Sequence, residues 1–396
     1  MSDGALSGIR VLDLTRVLAG PYCTMLMADM GAEVIKIETP GAGDDSRQFG
    51  PFINNESSYY MNLNRNKKGV TLNLKKAEAK KLFLDMVTKA DVVVENYRPG
   101  TMEKLGLGYD ILQEVNPKII YGAISGFGHY GPYKDRAGYD LISQAMSGIM
   151  STTGWPGGDP TRSGTAIGDV LGGLSVLIGI LSAIESRHKT GLGQKVDVAL
   201  VDSVVSSLQI FNQIYLVEGR LPGRIGNRYE SSYPYDSFRA NDGILVIGAG
   251  NDKLWRKLCE VMNNSDLIKD ERFNNNPKRI QNHSELKDII EAWASRFKVD
   301  EAVGILLNAG IPSAPIYSIE EVIKDPHIAE AREMFIEVEH PIAGKFRMTG
   351  NHIKMSGTKM VISPAPLLGQ HNIQVFGELL NLSEEQLVEM HEQGII

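Results

Sequence analysis

One carboxylate, Asp169, stands in the otherwise small and apolar stretch SGTAIGDVLGG at residues 163–173. A buried, unpaired charge is costly, so this residue needs a compensating role. As an N-cap, Asp169 would stabilise the apolar helix that follows by about 1 kcal/mol. As a nucleophile, it would be kept ionised by the helix dipole, while desolvation would raise its pKa and its reactivity. We expect Gly168, Gly172 and Gly173 to leave room for a bulky substrate. The two roles are compatible, so both stay open at this point.

Motifs for several other kinds of catalysis are absent from the sequence. It contains no GxxxxGKS/T phosphate-binding loop, no HExxH, no Cys/His cluster with metal spacing and no GxSxG. Two glycine-rich stretches, at residues 41–45 and 247–252, do not complete GxGxxG. The first is interpreted as a turn, because Asp44 and Asp45 would repel a pyrophosphate. We therefore expect no resident metal, no nucleotide cofactor and a substrate that carries its own activation.

The composition limits the possible partners and compartments. The formal net charge of −7 excludes a general nucleic-acid binder, so an anionic ligand would need local basic groups or helix N-termini. Two distant cysteines, Cys23 and Cys259, predict no disulfide framework and a reduced, cytoplasmic setting. The N-terminal residues lack the pattern of a signal peptide. Residues 167–184 approach the length of a membrane span, but Asp169 and several glycines favour a core helix and no membrane partner.

Short apolar runs alternate with helical patterns in the first half of the chain. Strands are predicted at 9–14, 33–38, 91–96 and 118–126, and helices at 21–31 and 77–90. This alternation predicts an α/β fold with a mostly parallel sheet covered by helices. Further predicted elements are helices at 139–151 and 201–219, a long apolar helix that starts near Asp169, and a strand at 195–200.

The polar, Gly-, Pro- and Tyr-rich residues 220–238 indicate a domain junction. A smaller α/β unit follows, with a strand at 243–249, helices near 252–262 and 284–297, and another helix to Leu307. The segment 311–318 and a helix ending near Ala331 are expected to lead back to the first domain. We therefore predict a large domain from 1–220, a small α/β domain from 221–315 and a C-terminal return from 316–396.

The sequence resembles the class III CoA-transferases, the formyl-CoA transferase and carnitine CoA-transferase family, over nearly its whole length. The segments that carry the resemblance are GIRVLDLTRVLAGPYCTMLMADMGAEVIKIE (8–38), YYMNLNRNKKGVTLNLK (59–75), ADVVVENYRPGTMEKLGLGY (90–109), SGFGHYGPYKDRAGYD (125–140), SGTAIGDVLGG (163–173), SRHKTGLGQKVDVALVD (186–202) and APLLGQHN (365–372). Together these segments are specific, although no single one is. The resemblance implies a Rossmann-like large domain built from both chain ends, a smaller α/β domain, and an interlocked, ring-like homodimer.

The resemblance also implies a covalent role for Asp169. Its carboxylate would attack an acyl-CoA thioester, giving an aspartyl–acyl anhydride and then an aspartyl-CoA thioester. A second carboxylic acid would then accept the CoA. Because one thioester is exchanged for another, little driving force is needed, which accounts for the missing phosphate-binding loop and metal motifs.

The resemblance assigns the CoA contacts to five places along the first 139 residues. They are Val17, Leu18, Leu72, Asn73, Leu74, Lys75, Asn96, Tyr97, Arg98, Lys104, Arg136, Ala137, Gly138 and Tyr139. Among them, Lys75, Arg98, Lys104 and Arg136 could neutralise the CoA phosphates. If the resemblance is set aside, each of these cations is interpreted equally well as a solvated surface charge.

Three departures from formyl-CoA transferase bear on the substrate. That enzyme has Gln at the position of Leu18, Arg at Thr39, and a longer all-glycine loop at residues 248–251. These differences argue against formate and oxalate. The backbone of Gly248, Ala249 and Gly250 could still cover the anhydride or donate hydrogen bonds to an oxyanion, and a plain strand-to-helix turn is the alternative.

The stretches at 41–51 and 55–68 look most like the branch of the family that moves CoA from succinyl-CoA to glutarate-like dicarboxylates. Arg47 is then a candidate partner for a distal carboxylate, and an ordinary loop arginine is the alternative. Two rival functions also stay open. The α-methylacyl-CoA racemases pair the matching aspartate with a histidine, where this chain has Tyr139, whose residue type ordinarily has a pKa near ~10. A non-catalytic CoA-binding protein would need the basic contacts but not Asp169.

Overall fold

The computed structural model describes residues 4–358 and 360–396, which divide into two compact units. The large unit takes the described residues of Met1–Met150, Arg162–Arg220 and Pro326–Ile396, and the small unit takes Ser151–Thr161 and Leu221–Asp325. One boundary between the units lies between Arg220 and Leu221. The return to the large unit lies at Pro326 instead of residue 316, and the segment Ser151–Thr161 belongs with the small unit.

The elements follow one another in the order strand, helix, strand through much of the large unit. The strands are β1 (Arg10–Asp13), β2 (Glu33–Glu38), β3 (Phe52–Ile53), β4 (Glu56–Ser57), β5 (Lys68–Thr71), β6 (Val92–Glu95), β7 (Ile120–Ser125), β8 (Lys195–Ala199), β9 (Tyr235–Arg239), β10 (Ile244–Gly248), β11 (Ser313–Pro315), β12 (Phe335–His340) and β13 (Gly344–Thr349). The helices are α1 (Ala19–Asp29), α2 (Ser58–Leu63), α3 (Ala77–Val87), α4 (Thr101–Leu105), α5 (Tyr109–Val115), α6 (Asp140–Ser147), α7 (Ile149–Thr152), α8 (Ile167–Thr190), α9 (Leu200–Ser207), α10 (Gln209–Glu218), α11 (Asp252–Val261), α12 (Asn276–Gln281), α13 (His283–Ala294), α14 (Val299–Asn308), α15 (Ile319–Lys324), α16 (Asn372–Leu380) and α17 (Glu384–Glu392).

In the described residues, six parallel strands form the main sheet of the large unit, in the order β5-β2-β1-β6-β7-β8. The predicted α/β fold with a parallel sheet is therefore confirmed. Alternate side chains of β1 point to opposite faces, so Val11 joins a core with α1 and α8 while Leu12 joins a core with α3 and α16. Burial on both faces explains why these strands are nearly continuous apolar runs.

The small unit has its own core around an antiparallel sheet of order β11-β10-β9. Phe238, Leu245 and Ile247 from the sheet pack with Trp255 of α11 and Leu286 of α13. This unit is thus stabilised independently by burial of apolar surface.

Helix α8 is long and apolar enough to cross a membrane by length and composition. In the structure it packs on the sheet, and Val176, Leu177 and Ile180 are buried in the core that α1 shares. This is the arrangement expected of a core helix. The segment 201–219 is helical as predicted, but it forms two helices, α9 and α10, that meet at a bend of 73°.

Three glycines at the start of α8 allow close packing between elements of the protein. A Cβ on Gly173 would lie 2.6 Å from the carbonyl oxygen of Ala19, and one on Gly172 would lie 2.6 Å from Leu200. A Cβ on Gly168 would lie 3.0 Å from Asp140. We had expected these glycines to make room for substrate, but the space is already filled by α1, α6 and α9.

The strand order changes direction between β1 and β6. Strand β2, which follows β1 in sequence, lies on one side of β1 in the sheet, and β6 lies on the other side. The connections that leave β1 and β6 therefore diverge and open a crevice at the carboxyl ends of the strands. Open α/β sheets bind their ligands at this position.

Gly173→Ala should destabilise the protein by about 1–3 kcal/mol, because the added methyl group meets backbone instead of a side chain that can move. Thermal unfolding measures the effect. Gly377→Ala in α16 is a matched control, because the nearest atom to its Cβ is 3.8 Å away. The control should be neutral or slightly stabilising. Equal shifts in Tm for the two variants would contradict the packing role of Gly173.

Candidate active site

A cavity of about 380 Å³ opens at the predicted crevice of the large unit. It is lined by residues 16–19 after β1, 96–99 after β6, 124–126 at the end of β7 and 136–139 before α6, together with Asp45, Thr101, Asp169 and Leu200. Its size is typical of a small-molecule site. The parallel sheet therefore gathers four separate chain segments around Asp169.

Most of the residues assigned to CoA contacts from the sequence lie in this cavity. Those that line it are Val17, Leu18, Asn96, Tyr97, Arg98, Arg136, Ala137, Gly138 and Tyr139. Those that do not line it are Leu72, Asn73, Leu74, Lys75 and Lys104. Leu72 is buried in the core beside α3, whereas Lys75 and Lys104 are exposed on the surface.

Asp169 lies in the first turn of α8 but is not its N-cap. The helix starts at Ile167, and the N-cap residue Ala166 has no side chain that can accept a hydrogen bond. The capping role weighed for Asp169 is instead taken by Asp140, the first residue of α6, whose Oδ1 accepts the Gly168 N–H at 2.8 Å. Asp169 is thus left free of a capping function.

Asp140 and Gln144 lie one turn apart on α6, and they bind the backbone of the segment that leads into α8. The Nε2 of Gln144 donates to Oδ2 of Asp140 at 2.7 Å, and its Oε1 accepts the Ser163 N–H at 2.9 Å. Both side chains are buried. Sequence analysis missed this pair. The available signal was two polar residues at i and i+4 in AGYDLISQ, next to the apolar positions of an amphipathic helix.

The electrostatic surroundings of Asp169 make its carboxylate a stronger base than an aspartate in water. Burial, together with the nearby charge of Asp140, raises the pKa of Asp169 to about 7. Among the described residues, none donates a hydrogen bond to its carboxylate. The positive end of the α8 dipole acts in the opposite direction. A carboxylate so weakly solvated is a stronger nucleophile than one in water.

Three arginines in the lining supply positive charge. Arg16 pairs with Asp45, the guanidinium of Arg136 stacks 3.6 Å from the ring of Tyr133, and Arg98 is exposed. Arg16 was not singled out from the sequence, although it lies in the segment LDLTRVLAGP. Together these cations suit an anionic ligand with several phosphate groups.

The glycine-containing loop at residues 248–251 belongs to the small unit and forms a strand-to-helix turn. The Gly248 N–H donates to Pro312 at 2.8 Å, and the Ala249 N–H donates to Pro234 at 2.7 Å. Asn251 then caps α11 by accepting the Leu254 N–H. Two of the N–H groups considered as oxyanion donors are therefore already used within this unit.

Arg47 does not line the cavity. Its Nε and Nη2 donate to the two carboxylate oxygens of Glu38 at 2.9 and 2.7 Å, and Nη2 also donates to the Tyr60 hydroxyl at 2.7 Å. The guanidinium stacks 3.8 Å from the Tyr60 ring, and Glu38 is buried. This arrangement favours a structural role for Arg47 over binding of a substrate carboxylate.

Comparisons with known proteins agree over nearly the whole chain. The sequence model of CoA-transferase family III matches residues 6–372. The succinyl-CoA:glutarate CoA-transferase of Mus musculus is 39% identical over 393 residues, which cover 99% of this chain and 90% of the relative. The succinyl-CoA:mesaconate CoA-transferase of Haloarcula marismortui is 42% identical over 388 residues, which cover 95% of this chain and 96% of the relative. The crystal structure of a CAIB/BAIF family protein from Brucella suis has a TM-score of 0.84 at 36% identity, and the match covers 95% of this chain and 100% of that one.

Arg47→Ala should lower the stability of the protein by about 3–5 kcal/mol, because Glu38 would be left buried without its cation. Thermal unfolding measures this loss, and Arg47→Lys, which keeps the charge, should lose less. The KM values for monocarboxylate and dicarboxylate acceptors should change by similar factors. A rise in KM confined to dicarboxylates would instead support a substrate role for Arg47.

Asp169→Asn should stabilise the protein at about pH 8 by on the order of 1–3 kcal/mol. Folding raises the pKa of Asp169 from 3.8 to about 7, so the ionised group disfavours the folded state above neutral pH. Below pH 3.8 the group is protonated in both states, so the gain should vanish as the pH falls to about 4. Unfolding midpoints measured across this range test the prediction, with Asp110→Asn in the first turn of α5 as an exposed control. A gain independent of pH would contradict it.

Proposed function

Because the chain belongs to CoA-transferase family III and is an enzyme of that class, we propose that it moves CoA from an acyl-CoA such as succinyl-CoA to a dicarboxylic acid acceptor. The dicarboxylate class is supported by the names of the relatives, which act on glutarate and mesaconate. The relatives that are CoA-transferases favour transfer over the racemase and the non-catalytic alternatives. The single observation that carries the mechanism is the weakly solvated carboxylate of Asp169 in the cavity.

The donor half of the proposed reaction leaves CoA on the enzyme. An oxygen of Asp169 attacks the thioester carbonyl of the acyl-CoA, the C–S bond breaks, and an aspartyl–acyl anhydride and a CoA thiolate form. The thiolate attacks the aspartyl carbonyl carbon. The donor acid leaves as its carboxylate, and an aspartyl-CoA thioester remains.

The acceptor half runs the same steps in reverse. The acceptor carboxylate attacks the aspartyl carbonyl, expels the CoA thiolate and forms a second anhydride. The thiolate then attacks the acceptor's acyl carbon, which yields the new acyl-CoA and restores the carboxylate of Asp169. Each step exchanges one C–S or C–O bond for another, with no net transfer of electrons or protons.

The surroundings of Asp169 favour both its attack on the thioester and the covalent intermediates that follow. Burial and Asp140 raise the free energy of the ionised carboxylate, which favours its attack on the thioester. The same features disfavour the ionised carboxylate of Asp169. The neutral anhydride and thioester are therefore stabilised relative to it.

We propose that CoA lies along the segments that leave β1, β6 and β7. Arg98 and Arg136 would then pair with its phosphates, while Val17 and Leu18 contact the arm that carries the thiol. Gly138 and Tyr139 line the same cavity. Lys75 and Lys104, exposed outside the cavity, would reach CoA only at its nucleotide end.

Three further expectations complete the proposal. The chemistry needs no metal, and in residues 4–358 and 360–396 no three His, Cys, Asp or Glu side chains are grouped to hold one. The enzyme works in a reducing, cytoplasmic compartment, consistent with two buried free cysteines, Cys23 and Cys259. The active form is an interlocked homodimer, and the molecular mass in solution would test whether the protein is a dimer.

Hydroxylamine added after an acyl-CoA should convert Asp169 to a hydroxamate, because it attacks the aspartyl carbonyl of the proposed anhydride or thioester and releases the carboxylate or the CoA thiolate. The peptide that contains Asp169 should gain about 15 Da in mass spectrometry. Succinyl-CoA, acetyl-CoA and formyl-CoA, each tested with a panel of mono- and dicarboxylic acids, would identify the productive pair.

Asp169→Ala is the matched control and should lose both the label and at least about 10³-fold in kcat. Asp140→Asn keeps an acceptor for the Gly168 N–H and should still be labelled. An active wild-type enzyme that takes up no label at Asp169, or is labelled at another carboxylate, would contradict the mechanism.

A further inference from the structure

A second cluster of ionisable side chains lies directly behind the cavity lining and takes no part in the proposed chemistry. It consists of Glu95 at the end of β6, Tyr121 on β7, His129 in the following loop, and Lys195 and Asp197 on β8. Glu95 is only 1% exposed, yet no cation donates a hydrogen bond to it among the described residues. Such a carboxyl group costs stability unless it serves a purpose.

The hydrogen bonds of Glu95 point to that purpose. Its Oε2 accepts the backbone N–H of Tyr97 at 2.7 Å, and its Oε1 accepts the Tyr121 hydroxyl at 3.1 Å. Burial raises the pKa of Glu95 to about 8, and the charge of Glu103 acts in the same direction while Lys195 opposes it. The group is therefore largely protonated near neutral pH, and it serves as an acceptor more than as a charge.

His129 lies beside the Glu95 carboxyl group without a hydrogen bond to it. Its Nδ1 lies 3.0 Å from Nζ of Lys195, and its backbone N–H donates to both carboxylate oxygens of Asp197 at 3.0 and 3.2 Å. Its Nε2 is buried without a hydrogen-bond partner among the described residues and lies 3.6 Å from Oε1 of Glu95. The hydrogen bonds that orient Glu95 are therefore those with Tyr97 and Tyr121.

Tyr97 belongs to a segment that has no regular secondary structure to hold it. Residues 96–99 follow β6 and line the cavity. At Asn96, the side chain accepts the Arg16 N–H and donates to the Arg16 carbonyl, both at 2.8 Å. Glu95 supplies the next attachment, at Tyr97. The segment is therefore held by Asn96 to the loop after β1, by Tyr97 to the buried carboxyl group, and by the Arg98 carbonyl, which accepts the Thr101 N–H at 3.0 Å.

We infer that Glu95 is a positioning residue for CoA binding, whose carboxyl oxygen holds the Tyr97 N–H and keeps residues 96–98 in the shape that lines the cavity. The inference rests on the proposed function, because it takes acyl-CoA to bind along this segment. Glu95 does not contact the reacting atoms, so it acts on the affinity for CoA and not on the chemistry at Asp169.

Three variants separate this role from simple structural support. Glu95→Leu removes the acceptor, and should raise the Kd for free CoA and the KM for acyl-CoA about tenfold or more, with kcat at saturation within about twofold. Glu95→Gln keeps an acceptor oxygen and matches the protonated group in shape and charge, so its Kd should stay within about twofold of wild type. Tyr121→Phe removes only the contact to Oε1, so it should lower the Tm while leaving the Kd unchanged.

Calorimetric titration with free CoA, accompanied by steady-state kinetics, measures these effects. A wild-type protein that does not bind CoA would contradict the proposed function itself. If wild type binds, a Leu variant with unchanged Kd and KM, or a Gln variant as weak as the Leu variant, overturns the inference. Should Glu95→Leu fail to fold, as judged by circular dichroism, Glu95→Ala takes its place with the same expected outcomes.

Discussion

The hydrogen bond from the Gly168 N–H to Asp140 fixes where α8 begins, and the reacting carboxylate depends on that start. The first N–H groups of a helix have no partner within it, and Ala166 has no side chain to satisfy them. Asp140 reaches over from α6 to supply one acceptor. In doing so it brings a second negative charge near Asp169 and helps to raise the pKa of that residue. Asp140 therefore contributes both to the position of the nucleophile and to its raised pKa.

The loop that follows β1 and lines the cavity is held by a buried ion pair. Val17 has a φ of 66°, a left-handed conformation that a β-branched residue adopts only under constraint. Its N–H donates to Asp44 at 3.1 Å, and Asp44 is paired with Lys36 at 2.6 Å with both side chains fully buried. Lys36 also donates to the Thr15 carbonyl, so the same cation holds both sides of the loop. Rigid support of this kind keeps a binding surface preorganised before the ligand arrives.

Much of the fold could be predicted because parallel strands are continuous apolar runs. The strand Glu33–Glu38 has the bounds predicted from EVIKIE, since polar and turn-forming residues flank it on both sides. Lys68–Thr71 was missed because four residues with a leading lysine form a strand only by pairing with β2. The break near Leu208 was missed as well, because the helical pattern of apolar residues continues through the bend.

The site was less predictable than the fold, for a physical reason. Asp169 could be recognised because an isolated carboxylate in an apolar run is costly wherever it lies. Asp140 could not, because its importance comes from a contact to Gly168, far away in sequence. Arg47 looked available for a substrate, but its commitment to Glu38 and Tyr60 is a tertiary arrangement that no local pattern reveals.

The central claim is that the carboxylate of Asp169 becomes covalently bound in every turnover, and an oxygen isotope tests it directly. The acceptor acid, labelled with ¹⁸O in the carboxyl group that receives CoA, leaves one of its oxygens on the aspartate each time the second anhydride is resolved. After many turnovers the peptide containing Asp169 should carry up to two labelled oxygens, a gain of about 4 Da, and no other peptide should be labelled. An unlabelled Asp169 after many turnovers would mean that the acids exchange CoA without passing through the carboxylate, and would contradict the account.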